Sequence, residues 1–373
     1  MDLSQTYSPF RSVLLREWRR MTSRRLYFGV CIVLPLFTLF FMATIFGNGQ
    51  MENIPIGIID QDNTATSRAI TRNISAVPTF KVVKHYVNEA AAREAVQKKE
   101  IYGYLSIPPR FEQNAITGKN ATLSYYYHYA LLSVGGELMA AFETSLAPVS
   151  LSPIIMEAVS LGADQQQITT FLLPVQANNH PIYNPSLDYS VYLSNPFFFI
   201  FFQVLILLTT VYAVGSEIKF RTGTDWLATA KGNMIIAVLG KLLPYTFIYI
   251  LIGWLGNYVM FGILHIPFQG SWWLINMITV LFVIATQALG LFIFSLFPAV
   301  SLVISVVSMV GSLGATLSGV TFPVSNMYPL VRDASYLFPV RHFTEMIQTM
   351  LYGGGGFIYL WPSMVILCIF PLL

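Results

Sequence analysis

Five histidines, His85, His128, His180, His265 and His342, are the side chains best suited to hold a metal or carry a proton. Their spacing supports neither, because no two stand at i and i+4 and no cysteine lies near them. The two cysteines, Cys31 and Cys368, sit inside apolar runs, so no zinc site, redox pair or disulfide framework follows. No Gly-x-Ser-x-Gly elbow occurs. The Gly-Lys pairs Gly118–Lys119 and Gly240–Lys241 lack the glycine five residues earlier that a phosphate-binding loop needs. On a strand, Tyr125, Tyr127 and Tyr129 would share one face with Tyr126 and His128 opposite, which sheet packing explains better than ligand stacking. No catalytic residue, metal ligand or bound cofactor is expected on this chain.

The remaining charges suit coupling rather than catalysis. Glu217–Lys231 mixes Lys219, Arg221 and Lys231 with Ile218, Phe220, Trp226 and Leu227. A short amphipathic helix there would offer a cytoplasmic protein an apolar anchor and a charged rim; a plain basic connector fits the composition equally. The apolar runs contain Gln203, Asn257, Asn276 and Gln287 but, as read, no Asp or Glu. A carrier driven by protons or sodium usually keeps an intramembrane carboxylate, so that class is disfavoured. Lys241 stands near the start of its run, where its long side chain could snorkel to the interface. Residues 321–352 are apolar yet hold Pro323, Pro329, Pro339, Arg332, Asp333, Arg341, His342 and Glu345. A spanning helix would not accept these charges, each costing about 3 kcal/mol at mid-bilayer. Two short helices that enter from the outer face and return would, and so would an interfacial loop.

Elements of bilayer length must position these residues. The chain is 55% hydrophobic and 10% charged, against roughly 25% charged in soluble domains. Its net charge of +3 gives no case for nucleic acid. Residues 1–26 read as a cytoplasmic amphipathic interfacial helix, with Phe10, Val13, Leu14, Trp18 and Met21 at helical spacing and arginines toward anionic lipid; a merely basic tail is the alternative. Six arginines before the first apolar run place the N-terminus inside. Residues 27–46 read as a first transmembrane helix rather than a cleaved signal. Residues 47–195 alternate strands and helices: strands 54–60, 80–86, 101–107 and 122–129, helices 64–76, 88–100 and 109–117, then a long helical stretch from 131 to about 170. That predicts an α/β domain. Its nine basic and twelve acidic residues place it outside the cytoplasm. Residues 196–373 then carry five more spans, with a loop at 217–232 between the first two. The predicted fold class is an α-helical integral membrane protein of six transmembrane helices plus a re-entrant segment, with an inserted extracytoplasmic α/β domain. The absence of a basic tail after Leu373 suggests a chain that continues further.

Three motifs carry a family resemblance. Glu217–Lys241 resembles the ABC type-2 exporter permeases, in which a glutamate and basic residues precede Gly-Thr and a Gly-Lys opens the next span; Gly223–Thr224 and Gly240–Lys241 occupy those places. Leu317–Phe343 (LSGVTFPVSNMYPLVRDASYLFPVRHF) is similar to that family's re-entrant signature, with Tyr328 intervening between Met327 and Pro329. Ile54–Ile70 (IPIGIIDQDNTATSRAI) is similar to the start of the large extracytoplasmic domain of one subgroup. The resemblance implies a bacterial inner-membrane permease that pairs with a second copy or a paralogue. It implies a separate ABC ATPase subunit holding ATP and Mg, and an ATPase-coupling segment of Glu217, Lys219, Phe220, Arg221, Gly223 and Thr224. It implies an extracytoplasmic gate from Gly319, Phe322, Pro323, Met327, Pro329, Pro339, Arg341 and His342. Membrane lipids and a periplasmic adaptor protein are further implied partners, and amphipathic drugs or lipid-like molecules the implied cargo. A receptor or scaffold of an envelope assembly remains the alternative.

Overall fold

Apolar runs that must satisfy their own backbone groups become helices, and the computed structural model contains five long and apolar enough to cross a bilayer among its described residues. Those residues are 3–45, 47, 49, 51–117, 121–131, 133–146, 184, 188–353 and 356–372. The five, called spans below, are Arg25–Ile45, Ser190–Lys219, Met234–Ile263, Trp272–Leu296 and Val300–Leu317, with a shorter apolar helix at Phe357–Leu372. They belong to a unit of Met1–Gly49 and Pro181–Leu373, whereas Gln50–His180 folds as a second unit.

The second span is the centre of the helical unit. Phe198, Phe199 and Phe202 are buried along it, and Phe199 lies 4.1 Å from the Phe343 ring, centroid to centroid. Polar groups inside are paired across spans: Thr209 and Tyr249 share a hydroxyl contact of 2.5 Å, and the Asn257 amide donates to Thr279 at 3.0 Å. Gln203 accepts the Val340 N–H at 2.9 Å, tying helix Pro339–Gly353 to the second span. In the first span Pro35 has no N–H to donate, and a π-helical turn, Gly29–Val33, takes up the local mismatch.

Two expectations about the helical unit change. The N-terminal helix, Leu3–Ser23, does not turn its whole apolar face to lipid: Val13, Glu17 and Met21 are buried on one stripe, while Trp18 is exposed. Gly240 admits this helix, since a Cβ there would lie 3.0 Å from Val13. The second span continues past Gly215 to Lys219 and so carries Glu217 inside the protein. The spans are therefore not free of carboxylates. Beyond the fifth span, Val324–Asn326 forms a 3-10 turn, followed by helices Pro329–Ser335 and Pro339–Gly353.

The Gln50–His180 unit contains strands β1 (Ile54–Asp60), β2 (Phe80–His85), β3 (Gly103–Ile107) and β4 (Ser124–Tyr127) in the order β2-β1-β3-β4. β1 runs parallel to β2 and β3, and β4 is antiparallel to β3. Helix Ala65–Ser75 buries Ile70 and Ile74 with Ile56, Ile58 and Leu105 in one core, while Ala92 and Ala95 of Glu89–Gln97 pack with Ile59 and Tyr104 in another. Thr64 and Ser67 form a capping box, and Asn88 caps the next helix. Tyr125 and Tyr127 stack on one face and Tyr126 stacks on Tyr104. This unit is narrower than the 47–195 read from sequence, because Ser190–Ser194 already forms the first turn of the second span. The long helical stretch is seen at 133–146; its continuation past residue 146, and Gly118–Lys119, lie outside the described residues.

Candidate functional site

Ion pairs far apart in sequence converge where the N-terminal helix meets the second and third spans. Lys241 Nζ lies 2.7 Å from Glu217 Oε1 and 2.6 Å from Glu17 Oε2. Arg16 forks onto Glu217 at 2.9 and 3.1 Å, and Arg20 donates both to Glu217 and to Ser216. The Tyr245 hydroxyl donates to the second Glu17 oxygen at 2.7 Å. Glu17 and Glu217 are 1% exposed and Lys241 is fully buried. Three cations therefore surround two carboxylates, each carboxylate held by more than one donor.

A buried pair of this kind stabilises little in net terms, but removing one partner is expensive because the other stays charged and dry. The cluster is thus a rigid joint rather than a reservoir of stability. Burial pulls the Arg20 guanidinium down, yet Glu217, helped by Tyr27, Glu17 and Tyr245, raises it above the ordinary arginine value. The joint extends to the short helix Gly223–Thr229. The Thr222 hydroxyl just before it donates to Glu217. Its one buried aromatic, Trp226, lies beneath Lys241 with the ammonium 5.3 Å from the ring and donates to the Ala237 carbonyl at 3.1 Å.

The structure divides the residues expected to couple. Glu217 belongs to the joint, whereas Lys219, Phe220, Arg221 and Thr224 are exposed. Phe220 carries Arg24 at 5.0 Å and Lys219 at 5.8 Å over its ring, Arg221 takes the left-handed backbone (φ 56), and Gly223 opens the short helix. Lys241 does not snorkel; its partners reach it inside. The expected gate residues divide too. Gly319, Pro323 and Arg341 border one cleft of about 570 Å3. Phe322 and Pro329 are exposed, Met327 is half-buried, and Pro339 begins the helix that buries Arg341 and His342. His342 Nε2 meets the Tyr336 carbonyl at 3.0 Å, and burial, against the pull of that carbonyl, lowers the imidazole below its usual range.

Comparison with known proteins places this architecture. Residues 25–373 match the family described as ABC-2 family transporter protein. The chain belongs to that family. Over 358 residues it is 23% identical to the "Probable multidrug ABC transporter permease YbhS" of Escherichia coli K12, covering 92% of this chain and 89% of that protein. YbhR of the same organism, also named a probable multidrug ABC transporter permease, is 23% identical over 355 residues, 94% and 90% of the two chains. The "Inner membrane transport permease YhhJ" of the same strain is 30% identical over 109 residues, 28% of each.

For this ABC-2 permease, sequence reading missed Arg16, Glu17, Arg20, Trp226 and Tyr245 as parts of the joint. One signal was available: Glu17 is the sole acid between Asp2 and Glu52, set among arginines on an otherwise apolar stripe. Such a residue, if the helix docks by that stripe, must be met by donors from the elements it docks on.

Proposed function

We propose that this permease is the membrane subunit of an ATP-driven exporter whose fuel is burned by a separate ATPase. Its N-terminus and the short helix Gly223–Thr229 face the cytoplasm, the Gln50–His180 unit lies outside, and Phe357–Leu372 serves as a sixth span of an inner-membrane protein. The permease works as a pair with a second copy or a paralogue. Its cargo is an amphipathic small molecule or lipid-like compound, a reading supported by the multidrug names of its relatives.

The attachment of the short helix to the buried joint carries this reading. A push on Gly223–Thr229 reaches Glu217 through Thr222 and Lys241 through Trp226, hence the ends of the second and third spans together. Closely paired charges in a dry site resist shear, so displacement of the short helix moves both spans instead of being absorbed locally. The segment 319–342, packed at the far side of the second span through Gln203, would then open as the outer gate.

The test is reconstitution with the ABC ATPase that copurifies with the permease. The permease alone should turn over no ATP, and should raise the partner's hydrolysis when cargo is present. Trp226→Ala should lower that stimulation about tenfold while the complex still assembles. Nucleotide turnover by the isolated permease, or an assembly lacking any ATPase, would favour the scaffold reading instead.

A further inference from the structure

The cleft beyond the fifth span contains an arginine that its own protein does not fully use. Arg341 is only 7% exposed. Its Nη1 donates to Glu345 at 2.9 Å, its guanidinium lies 5.4 Å from the Tyr336 ring, and Glu345 is itself held by the Ser363 hydroxyl at 2.9 Å. The side chain is thus fixed from two sides. Its buried Nε has no hydrogen-bond partner. A guanidinium N–H left dry and unpaired is costly, and an oxyanion accepting from Nε and the adjacent Nη2 would satisfy it in the bidentate manner that favours arginine.

The surroundings fit an anion with an apolar tail. Ser318, Gly319, Tyr336 and the half-exposed Arg332 border the same cleft of about 570 Å3. Gly319 has φ +87, a conformation that keeps this wall free of a side chain. Arg332 and Arg341 outnumber Glu345 among the lining ionisable groups; Asp333, beside Arg332 at 3.4 Å, is not among them. In the same stretch of chain, Phe322, Tyr328, Leu330 and Leu337 leave large apolar surfaces exposed.

The geometry points to an oxyanion-binding site in this cleft, with Arg341 as its principal donor, that receives the phosphate, sulfate or carboxylate head of an amphiphile. This deepens the exporter reading by giving its cargo a charge. The site itself does not depend on ATP, so it can be tested by binding alone.

The experiment uses the full permease in phosphatidylcholine nanodiscs, titrated with dodecyl phosphate and, for contrast, dodecyltrimethylammonium. Dodecyl phosphate should bind at least about tenfold tighter. Arg341→Gln should weaken it about tenfold to a hundredfold, leave the cation unchanged, and be partly rescued in Arg341→Lys. Glu345→Gln, which removes the competing carboxylate, should tighten it, and this arm stands even if Arg341→Gln fails to fold. Equal binding of both amphiphiles, or of wild type and Arg341→Gln, overturns the site, as does weaker binding in Glu345→Gln. Repeating the titration with phosphatidylglycerol in the disc separates two sources of the same chemistry. Competition assigns the cleft to a resident lipid headgroup, and no competition assigns it to cargo. Binding without stimulation of the partner ATPase would retire the exporter reading and leave this site standing.

Discussion

At the scale of single residues, Lys241 shows how a charge can be both buried and necessary. Its ammonium balances Glu17 and Glu217 at 2.6 and 2.7 Å. Lys241→Met should leave Glu17 held only by the Tyr245 hydroxyl and destabilise the permease by about 3–5 kcal/mol. Adding Glu17→Met should restore most of that loss, because Glu217 keeps Arg16 and Arg20 and no lone charge remains. Thermal unfolding midpoints in detergent check this; a double variant no better than the single one would contradict it. His342 gives the opposite kind of test. It is buried neutral, with Arg341 opposing its protonation and Glu345 favouring it. Its folded value lies below that of the unfolded chain, about 6.5. The stabilisation it allows is therefore complete above that pH and is lost as pH falls, when unfolding takes up a proton. Unfolding midpoints should decline below about pH 6.5, and His342→Gln should flatten that part of the profile.

At the scale of elements, docking of the N-terminal helix depends on a missing side chain. Gly240 faces Val13, so Gly240→Leu should overpack the contact, cost about 1–3 kcal/mol, and pull Glu17 away from Lys241. Hydrogen exchange across Leu3–Ser23 should then rise while the Gln50–His180 unit stays protected; unchanged exchange would mean the helix is held elsewhere. This joint marks the boundary of what sequence could reveal. Helix starts were legible because Thr64, Ser67 and Asn88 act on neighbours three residues away. The faces taken by Tyr125, Tyr126 and Tyr127 were legible because period two decides them. The extension of the second span to Lys219 was not, because a carboxylate ends an apolar run unless cations neutralise it. Those cations arrive from Arg16 and Arg20, 201 and 197 positions away in the chain. The burial of Arg341 was hidden likewise, since Glu345 sits one turn along but the covering Tyr336 comes from across a proline break.

At the scale of the whole molecule, the helical unit gives up its chain at Gly49 and recovers it at Pro181. The return is closed within the helical unit itself. Tyr189 N–H donates to the Gly49 carbonyl at 2.8 Å, and Asp188 caps the neighbouring Ser190 N–H at 2.7 Å. Gly49 has φ +65, and a Cβ there would lie within 2.7 Å of the Asp188 carboxylate, so only glycine fits this neck. Because the neck joins Gly49 to Tyr189 directly, the inserted unit and the helical unit should unfold as separate cooperative transitions. The inserted unit has its own sheet and two cores to sustain this. Replacing residues 51–183 by a short Gly-Ser linker should therefore leave the helical transition within a few degrees of its place, with Lys241 still paired, and remove the other transition entirely. Scanning calorimetry in detergent makes the comparison, and Gly49→Val in the full chain supplies the control, since it strains the neck alone and should lower the helical transition. Collapse of the helical transition on deleting the insertion would mean that the two units stabilise one another, and the neck would lose its role as an independent closure.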